Sequence, residues 1–389
     1  MTANRINYAR QEIDQSDIEA VVQALQSDLL TQGPRIVEFE QSVANRCGGA
    51  LATAVNSATS ALHVACMALG LGPGDVLWTS PNTFVASANC ALYCGASVDF
   101  VDVDPVTYNM SVGALAAKLA TAEKNGSLPR IVVPVHFAGQ PCDMEQIAAL
   151  AKRYRFSVVE DASHAIGAQY KGEPVGNCRW SDIAIFSFHP VKIITTAEGG
   201  MLLTQNRDLH KRIQLLRSHG ITRDAALMTN QSHGPWYYEQ VALGYNYRIT
   251  DVQAALGLSQ LKRIDSFIER RRCIAARYDR ELADLPLVFP QQAAYGNSAW
   301  HLYVVQIDST KTPMTRTDFY HALYAAGIIV NVHYIPVHTQ PYYQKLGFKW
   351  GDFPVAEAYY RHVVSLPMYA GLSEEEQTRV INVVRKILS

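Results

Sequence analysis

A single lysine, Lys192, stands in a short segment between two apolar runs, residues 183–188 and 201–204. These runs have the composition of buried strands, and Gly199 and Gly200 allow the backbone to approach a ligand closely. An amine held at such a strand end is suited to forming a Schiff base with a carbonyl group. Most lysines in loops are solvated surface charges, so the assignment depends on the residues that the fold brings to Lys192.

An acidic residue, Asp161, ends a second apolar run at residues 158–160 and is followed by a small-residue turn and His164. The pattern predicts a buried strand that reaches its carboxyl end at this acid. A carboxylate there can keep a pyridine nitrogen protonated by a charge-assisted hydrogen bond, which makes the ring an electron sink. The alternative is that Asp161 only caps the next segment.

Small hydroxyl residues open an apolar helix at residues 56–62, among them Ser57, Thr59 and Ser60. Free N–H groups, hydroxyls and the positive end of the helix dipole suit a phosphate, although an ordinary helix cap has the same composition. Taken in chain order, a phosphate cradle, a ring acid and a Schiff-base lysine predict a site for pyridoxal 5′-phosphate (PLP).

The chain resembles the nucleotide-sugar aminotransferases of the DegT/DnrJ/EryC1/StrS family. The resemblance rests on these three motifs and on the Gly-Tyr-Asn-Tyr-Arg-Ile-Thr-Asp sequence that opens residues 244–255, and it extends from residues 30–33 to 365–367. Within the family, residues 187–198 are most similar to the transaminases of pseudaminic acid biosynthesis. The resemblance implies an α/β fold of the PLP-dependent transferase type (aspartate aminotransferase, fold type I).

That fold has a large domain with a doubly covered, mainly parallel sheet and a smaller α+β C-terminal domain. We place the large PLP-binding domain, with its N-terminal arm, at residues 1–262 and the small domain at residues 263–389. A length of 389 residues also favours two cores over one.

The resemblance implies a catalytic role for Lys192, which would carry PLP and then serve as the acid and base of a proton shift. Asp161 would face the pyridine nitrogen, and Phe84 would stack on the ring. His164 would hold the phenolic oxygen or brace Asp161, or would simply be a packed histidine. The phosphate would be held by the group Ala58, Thr59, Ser60 and Ser187.

Relatives present the segment containing Asn246 and Arg248 to the cofactor of a neighbouring subunit, which implies a homodimer with a composite active site. Arg248 or another arginine would receive the carboxylate of the amino donor, because a guanidinium binds carboxylates bidentately. By the same resemblance, the sugar nucleotide would contact Tyr8, Asp28, Leu29, Leu30, Thr31, His333, Tyr334, Ile335 and Pro336.

The function expected from this resemblance is transfer of the amino group of L-glutamate to C4 of a UDP-linked 4-keto-6-deoxy sugar. The sequence does not choose between the pseudaminic acid precursor and the keto-sugars of bacillosamine, legionaminic acid or aminoarabinose pathways. A PLP-dependent sugar dehydratase is a second possibility, but such relatives carry histidine in place of Lys192. A PLP-binding regulator is a third, and no appended DNA-binding module is recognisable.

Composition excludes several other classes of protein. A net charge of −1 provides no basic field for nucleic acid or an anionic membrane. Residues 1–7 lack the apolar core of a signal peptide, and no run of about 18 apolar residues predicts a membrane span. The seven scattered cysteines suggest reduced thiols and a cytoplasmic location. His333 and His338 lack a third ligand nearby, so no metal is expected.

The order of the predicted helices and strands supports the expected α/β fold. Apolar strands at residues 76–80, 97–101, 130–135 and 157–160 alternate with helices at residues 85–93, 111–122 and 144–153, after helices at residues 14–27, 38–47 and 57–69. This alternation predicts βαβ units, whose ligands gather at the carboxyl ends of the strands. Beyond a polar-aromatic loop at residues 221–240, we expect a bridging helix at residues 252–281, strands at 300–306 and 328–333, and helices at 316–325 and 374–388.

Overall fold

The structure, a computed structural model, describes residues 5–389, so residues 1–4 of the predicted N-terminal segment lie outside the described residues. Its helices are α1 Gln15–Leu25, α2 Pro34–Arg46, α3 Ala58–Ala68, α4 Ala86–Tyr93, α5 Val112–Asn125, α6 Met144–Tyr154, α7 Arg207–Arg217, α8 Asp251–Leu261, α9 Ile264–Glu281, α10 Arg316–Ala325, α11 Pro341–Gln344, α12 Pro354–His362 and α13 Glu374–Leu388. Short 3₁₀ turns occur at Phe137–Gly139 and Val337–Thr339. Within this described range, no helix is both long and apolar enough to cross a membrane.

The strands are β1 Leu51–Val55, β2 Val76–Thr79, β3 Ser97–Phe100, β4 Ile131–Val133, β5 Ser157–Asp161, β6 Gln169–Tyr170, β7 Glu173–Pro174, β8 Ile183–Ser187, β9 Gly200–Thr204, β10 Ile221–Thr222, β11 Glu239–Gln240, β12 Leu287–Val288, β13 Gly296–Asn297, β14 Tyr303–Ile307 and β15 Val363–Leu366. A seven-stranded sheet has the order β1-β9-β8-β5-β4-β2-β3. Its pairs from β8 to β3 are parallel, and β9 runs antiparallel to both of its neighbours. The predicted mainly parallel sheet is confirmed.

Both faces of this sheet are buried, which explains the continuous apolar composition of its central strands. In β8, Ile183 and Ile185 join a core cluster that includes residues of α3, α4 and α7. The alternate residues Ala184 and Phe186 join a second cluster, which includes residues of α2 and α8. Full burial of a side chain such as Phe186 contributes on the order of 1.5–3 kcal/mol, so the sheet is a rigid base for its carboxyl edge.

The C-terminal part of the chain builds a smaller α+β layer around the antiparallel sheet β12-β14-β15. Tyr303 and Val305 of β14 pack in one core cluster with Ile274 and Tyr278 of α9. Residues of α10 and α13 complete the same cluster. The expected second, α+β unit is therefore present, while the exact boundary at residues 262 and 263 stays a prediction.

Two predicted elements were wrong. The bridging helix at residues 252–281 is interrupted between α8 and α9, where Lys262 and Arg263 make i→i+3 hydrogen bonds to Ser259 and Gln260. Arg263 binds the carboxylate of Asp17 in α1, a contact that no periodicity encodes. Residues 328–333 form no strand. The segment makes isolated bridges with two different partners, one at Ile328 and one at Asn331, and never a continuous ladder.

Candidate active site

The carboxyl edge of the large sheet brings together segments that are far apart in sequence. Gly200, the first residue of β9, pairs with Val55 at the end of β1 and with Ser187 at the end of β8. Asp161 ends β5, the next strand. A cavity of about 690 Å³ opens at this edge, and the predicted residues that line it are Tyr8, Ala58, Thr59, Phe84, Asp161, His164, Ser187, Lys192, His333, Tyr334 and Ile335.

The other predicted site residues lie outside this cavity lining. Ser60 is buried, and its hydroxyl donates to Asn56 at 2.6 Å. Pro336 is buried, and its carbonyl accepts a hydrogen bond from Thr339. The exposed or partly exposed remainder is Asp28, Leu29, Leu30, Thr31, Asn246 and Arg248.

Lys192 is held by a compact loop rather than by a regular element. Its N–H donates to the carbonyl of His189 at 2.8 Å. The carbonyl of Phe188 accepts from Thr195 Oγ1 at 2.9 Å and from the N–H of Thr196 at 3.0 Å, which closes the loop behind the lysine. Burial disfavours the charged ammonium and lowers the pKa of Lys192 to about 8, and the carboxylate of Asp161 opposes that shift. The amine is therefore prepared to lose its proton near neutral pH.

Both carboxylate oxygens of Asp161 are fixed by hydrogen bonds. Oδ2 accepts from Ser87 Oγ at 2.6 Å, and Oδ1 accepts from the N–H of Ser163 at 3.2 Å. The main chain of Asp161 is tied to the loop after β4, since its N–H donates to Pro134 and its carbonyl accepts from His136. A carboxylate this well anchored presents its free lone pairs in a defined direction.

The N-terminus of α3 has the geometry of an anion site. Ser57 is the N-cap, and its hydroxyl accepts from the N–H of Ser60 at 3.1 Å. Among the described residues, no hydrogen bond to the N–H groups of Ala58 and Thr59 is found. A Cβ atom added at Gly200 would lie 2.6 Å from the nitrogen of Ala58 and 2.6 Å from the carbonyl oxygen of Ser57. Only glycine lets β9 approach this helix end so closely, and free N–H groups at a helix N-terminus are suited to binding a phosphate.

Three histidines of the cavity lining, His164, His301 and His333, have lowered pKa values and are neutral. Burial, followed by the charge of Lys192, holds the pKa of His164 well below its usual range, and burial also lowers the pKa of His333 to about 3. His164 Nε2 lies 3.2 Å from the hydroxyl of Tyr334, and its ring stands 4.3 Å, between centroids, from that of His301. No hydrogen-bond partner of His164 Nδ1 occurs within residues 5–389. This buried nitrogen is free for a ligand atom, and no hydrogen bond to Asp161 is seen.

Phe84 provides an exposed aromatic face at the entrance. Its side chain is 59% exposed although its neighbours in sequence are mostly buried. The centroid of its ring lies 6.5 Å from that of Tyr334. A large apolar ring left open beside a cavity is suited to stacking against a flat ligand.

Several cavity residues were missed by the sequence analysis. Apart from apolar residues, they comprise Thr83, Ser87, Ser163, His189, Glu198, His301, Asn331 and Gln340. Thr83 precedes α4 and Ser87 lies in its first turn, and their hydroxyls are 2.8 Å apart. His301 and Asn331 follow no motif, and only the fold brings them to the cavity. No arginine of residues 5–389 lines the cavity.

His333 and His338, the two histidines considered as metal ligands, have different hydrogen-bond partners. Nδ1 of His333 lies 2.7 Å from Ser365 Oγ, and Nε2 of His338 lies 3.0 Å from the carboxylate of Glu357. Within the described range, no group of three or more His, Cys, Asp or Glu side chains is arranged to hold a metal ion.

Comparison with known proteins places this geometry in a family. Residues 11–385 match the profile of the DegT/DnrJ/EryC1/StrS aminotransferase family. The chain is 42% identical over 386 residues to the spore coat polysaccharide biosynthesis protein SpsC of Bacillus subtilis, covering 98% of this chain and 96% of that protein. It is 38% identical over 386 residues to the UDP-4-amino-4,6-dideoxy-N-acetyl-beta-L-altrosamine transaminase of Campylobacter jejuni, covering 98% and 97%.

A solved structure has the same fold throughout. It is Helicobacter pylori PseC, an aminotransferase involved in the biosynthesis of pseudoaminic acid, with a TM-score of 0.89 and 31% sequence identity over 99% of both chains. The chain therefore belongs to the DegT/DnrJ/EryC1/StrS aminotransferase family, whose members are PLP-dependent enzymes that act on nucleotide sugars. Its fold is that of the fold type I transferases, and PLP is its cofactor.

Proposed function

We propose that the protein transfers the amino group of L-glutamate to C4 of UDP-2-acetamido-2,6-dideoxy-β-L-arabino-hex-4-ulose. The product is UDP-4-amino-4,6-dideoxy-N-acetyl-β-L-altrosamine, an intermediate of pseudaminic acid biosynthesis. The observation that carries the reaction class is one cavity lined by Lys192, Asp161 and the N-terminus of α3. The altrosamine transaminase and the PseC structure support the substrate.

The residues present fit PLP at each of its functional groups. The N–H groups of Ala58 and Thr59, with the hydroxyl of Ser187, would hold the phosphate at the positive end of α3. Asp161 would accept a hydrogen bond from the ring nitrogen, and the unpartnered Nδ1 of His164 would donate to the phenolic oxygen. Phe84 would cover one face of the ring. When bound, PLP supplies a carbonyl that exchanges amino groups and a ring that delocalises the electron pair of the reacting carbon.

Lys192 would move the proton. Because burial lowers the pKa of Lys192 to about 8, a useful fraction of its Nζ is a neutral amine at slightly alkaline pH. Nζ would take a proton from the carbon that carries the donated amine and return it to the carbon on the other side of that nitrogen, a 1,3-proton shift. The neutral histidines His164 and His333 do not compete for this proton, because burial lowers the pKa of both.

We further propose that the active unit is a homodimer. L-Glutamate brings a carboxylate, yet within residues 5–389 no arginine lines the cavity. Arg248 and Asn246 are at least partly exposed and lie outside the cavity of their own chain. A second copy that contributed these side chains, with the exposed segment Asp28–Leu29–Leu30–Thr31, would complete the site for both substrates. All seven cysteines are unpaired, which supports a cytoplasmic location.

The alternative is amine transfer to C4 of another UDP-linked keto-sugar. It is supported by SpsC, a protein of spore coat polysaccharide biosynthesis that is 42% identical to this chain. Turnover of the purified enzyme with L-glutamate and a panel of 4-keto sugars separates the two. The proposal expects the β-L-arabino sugar to have the highest kcat/KM. A higher value for a bacillosamine-, legionaminic acid- or aminoarabinose-type substrate would refute the substrate assignment while leaving the reaction class in place.

A further inference from the structure

A chain of hydroxyl groups leads from the segment that carries Phe84 to Asp161. Ser87 Oγ donates to Asp161 Oδ2 at 2.6 Å, and Thr83 Oγ1 lies 2.8 Å from Ser87 Oγ. Ser87 and Thr83 are only 1% and 3% exposed, so water competes little for these hydrogen bonds. Ser87 lies in the first turn of α4, whereas Asp161 lies at the end of β5. The chain therefore connects two elements of the site.

The direction of the hydrogen bonds follows from the number of protons. A serine hydroxyl has one proton to donate, and Ser87 gives it to the carboxylate. The contact between Thr83 and Ser87 must then use the proton of Thr83. The order is Thr83 O–H to Ser87 O–H to Asp161, an arrangement in which each hydrogen bond polarises and strengthens the next.

We propose that Ser87 is a positioning residue that fixes the Asp161 carboxylate toward the cofactor ring, and that Thr83 acts through Ser87. The proposal rests on the role given to Asp161 above. The N–H of Ser163 holds Oδ1, while Ser87 is the side chain that holds Oδ2. Without Ser87 the carboxylate keeps the longer hydrogen bond from Ser163 but loses the shorter one, and its terminal torsion, which has a broad energy profile, is less restrained.

This arrangement also couples two contacts with the ring. Thr83 and Ser87 bracket Phe84, so the segment that presents the aromatic face also sets the direction of the acid. A shift of this segment would disturb the stacking face and the ring acid together. The hydroxyls are thus more than packing groups of a buried helix start.

The test uses holoenzyme of Ser87→Ala, Thr83→Val and the double variant. Ser80→Ala is the matched control, because Ser80 is also 1% exposed but its hydroxyl has no partner among the described residues. Three quantities are measured: the single-turnover rate with L-glutamate from the cofactor absorbance, the visible circular dichroism of the bound cofactor, and the thermal midpoint of the apoprotein. The last separates a positioning effect from loss of folding.

Ser87→Ala is expected to slow the single turnover about tenfold or more, as for a lost hydrogen bond to a charged group, and to change the circular dichroism. Thr83→Val is expected to slow it about two- to tenfold. The double variant should be no slower than Ser87→Ala alone, because Thr83 has no route to Asp161 except Ser87. In the Ser87 and Thr83 variants, the glutamate concentration that gives the half-maximal rate should be unchanged. The Ser80→Ala enzyme should have the rate and circular dichroism of the wild type.

Losses that multiply in the double variant, or an unchanged circular dichroism in Ser87→Ala, would overturn the proposal. If Ser87→Ala does not fold, the isosteric Thr83→Val decides, and a wild-type rate and spectrum in that variant would refute it. Asp161→Asn is run beside them. A wild-type rate in Asp161→Asn would mean that the role of Asp161 is misassigned. A slow Asp161→Asn enzyme beside normal Ser87 and Thr83 variants would reject only the positioning role of the two hydroxyls.

Discussion

The cavity lowers the pKa of Lys192 and fixes the orientation of the Asp161 carboxylate. Burial lowers the pKa of Lys192 to about 8, and the opposite charge of Asp161 restrains that shift. Asp161 itself is held by a hydroxyl and a main-chain N–H. The pair therefore combines an amine that readily loses its proton with a carboxylate whose orientation is fixed, and amine transfer uses both properties.

The lowered pKa of Lys192 predicts how the apoprotein reacts with amine-directed reagents. A lysine whose folded pKa is lowered loses its proton at lower pH than ordinary lysines do, so its neutral, reactive form should appear with a midpoint near pH 8. Reductive methylation of apoprotein at several pH values, followed by peptide mass spectrometry, measures this. The other lysine peptides are the internal reference, and a Lys192 midpoint near 10 would contradict the prediction.

A second residue-scale prediction concerns the charge of Asp161. Asp161→Asn preserves the shape of the side chain but removes the negative charge, so the enzyme should retain its cofactor and lose most of its proton-transfer activity. One charge-assisted hydrogen bond is worth about 1.5–3 kcal/mol, which weakens ground-state binding only modestly. Cofactor retained after gel filtration and the steady-state rate are the two measurements. Near-normal turnover would show that the ring does not lie against Asp161.

Lys192 and Asp161 were accessible from the sequence because Asp161 ends one apolar strand and Lys192 closely follows another, and strand ends of parallel sheets converge. The contact of Ser87 with the site was not predicted, because its hydrogen-bond partner Asp161 is 74 positions away in the sequence. Hydroxyl contacts of this kind leave no periodic pattern. His301 was missed for the same reason, since only the tertiary fold places it against His164.

At the scale of elements, the site depends on the close approach of β9 to the N-terminus of α3. The sequence predicted that helix and the apolar runs at residues 183–188 and 201–204. It did not predict β1, and the register of Gly200 with Val55 and Ser187 comes from the fold. The interruption of the helix at Lys262 was not predictable from periodicity, and the tertiary ion pair between Arg263 and Asp17 beside it leaves no periodic pattern either.

Gly200→Ala should disrupt the close approach of β9 to the N-terminus of α3. The added Cβ would meet backbone atoms of Ser57 and Ala58 at 2.6 Å, and backbone cannot move aside as a flexible side chain can. We expect cofactor affinity to fall by about tenfold or more, the loss of about one charge-assisted hydrogen bond to the phosphate. Spectroscopic titration of apoprotein with PLP measures it. Gly72→Ala is the matched control, because a Cβ at Gly72 meets no atom within 4 Å. Equal affinities in the two variants would contradict the account.

At the scale of the whole molecule, we propose that one chain provides an incomplete site. The cavity contains the groups that would hold PLP, while Asn246, Arg248 and the segment at residues 28–31 lie outside it. The exposed apolar side chains of Trp236, 72% exposed, and Leu243, 71% exposed, lie in the same part of the chain as Asn246. In the dimer that we propose, this surface is covered and Asn246 reaches the partner's cavity.

Complementation tests the dimer. Lys192→Ala and Asn246→Ala chains, each inactive alone, should form a mixed dimer in which one of two sites carries neither change, so about half of the wild-type activity per dimer should return. Co-expression with two tags, double affinity purification and an amine-transfer assay measure this. Absence of recovery in a verified mixed dimer would mean that Asn246 serves its own subunit.

The most direct test of the central claim is to identify the lysine that carries the cofactor. The holoenzyme is reduced with borohydride, which fixes the cofactor to that lysine, then digested and mapped by mass spectrometry. The account predicts that the label is found on the peptide containing Lys192, and that a Lys192→Ala protein takes up no label under the same conditions. A label on any other lysine of the wild-type protein would contradict the assignment of the active site.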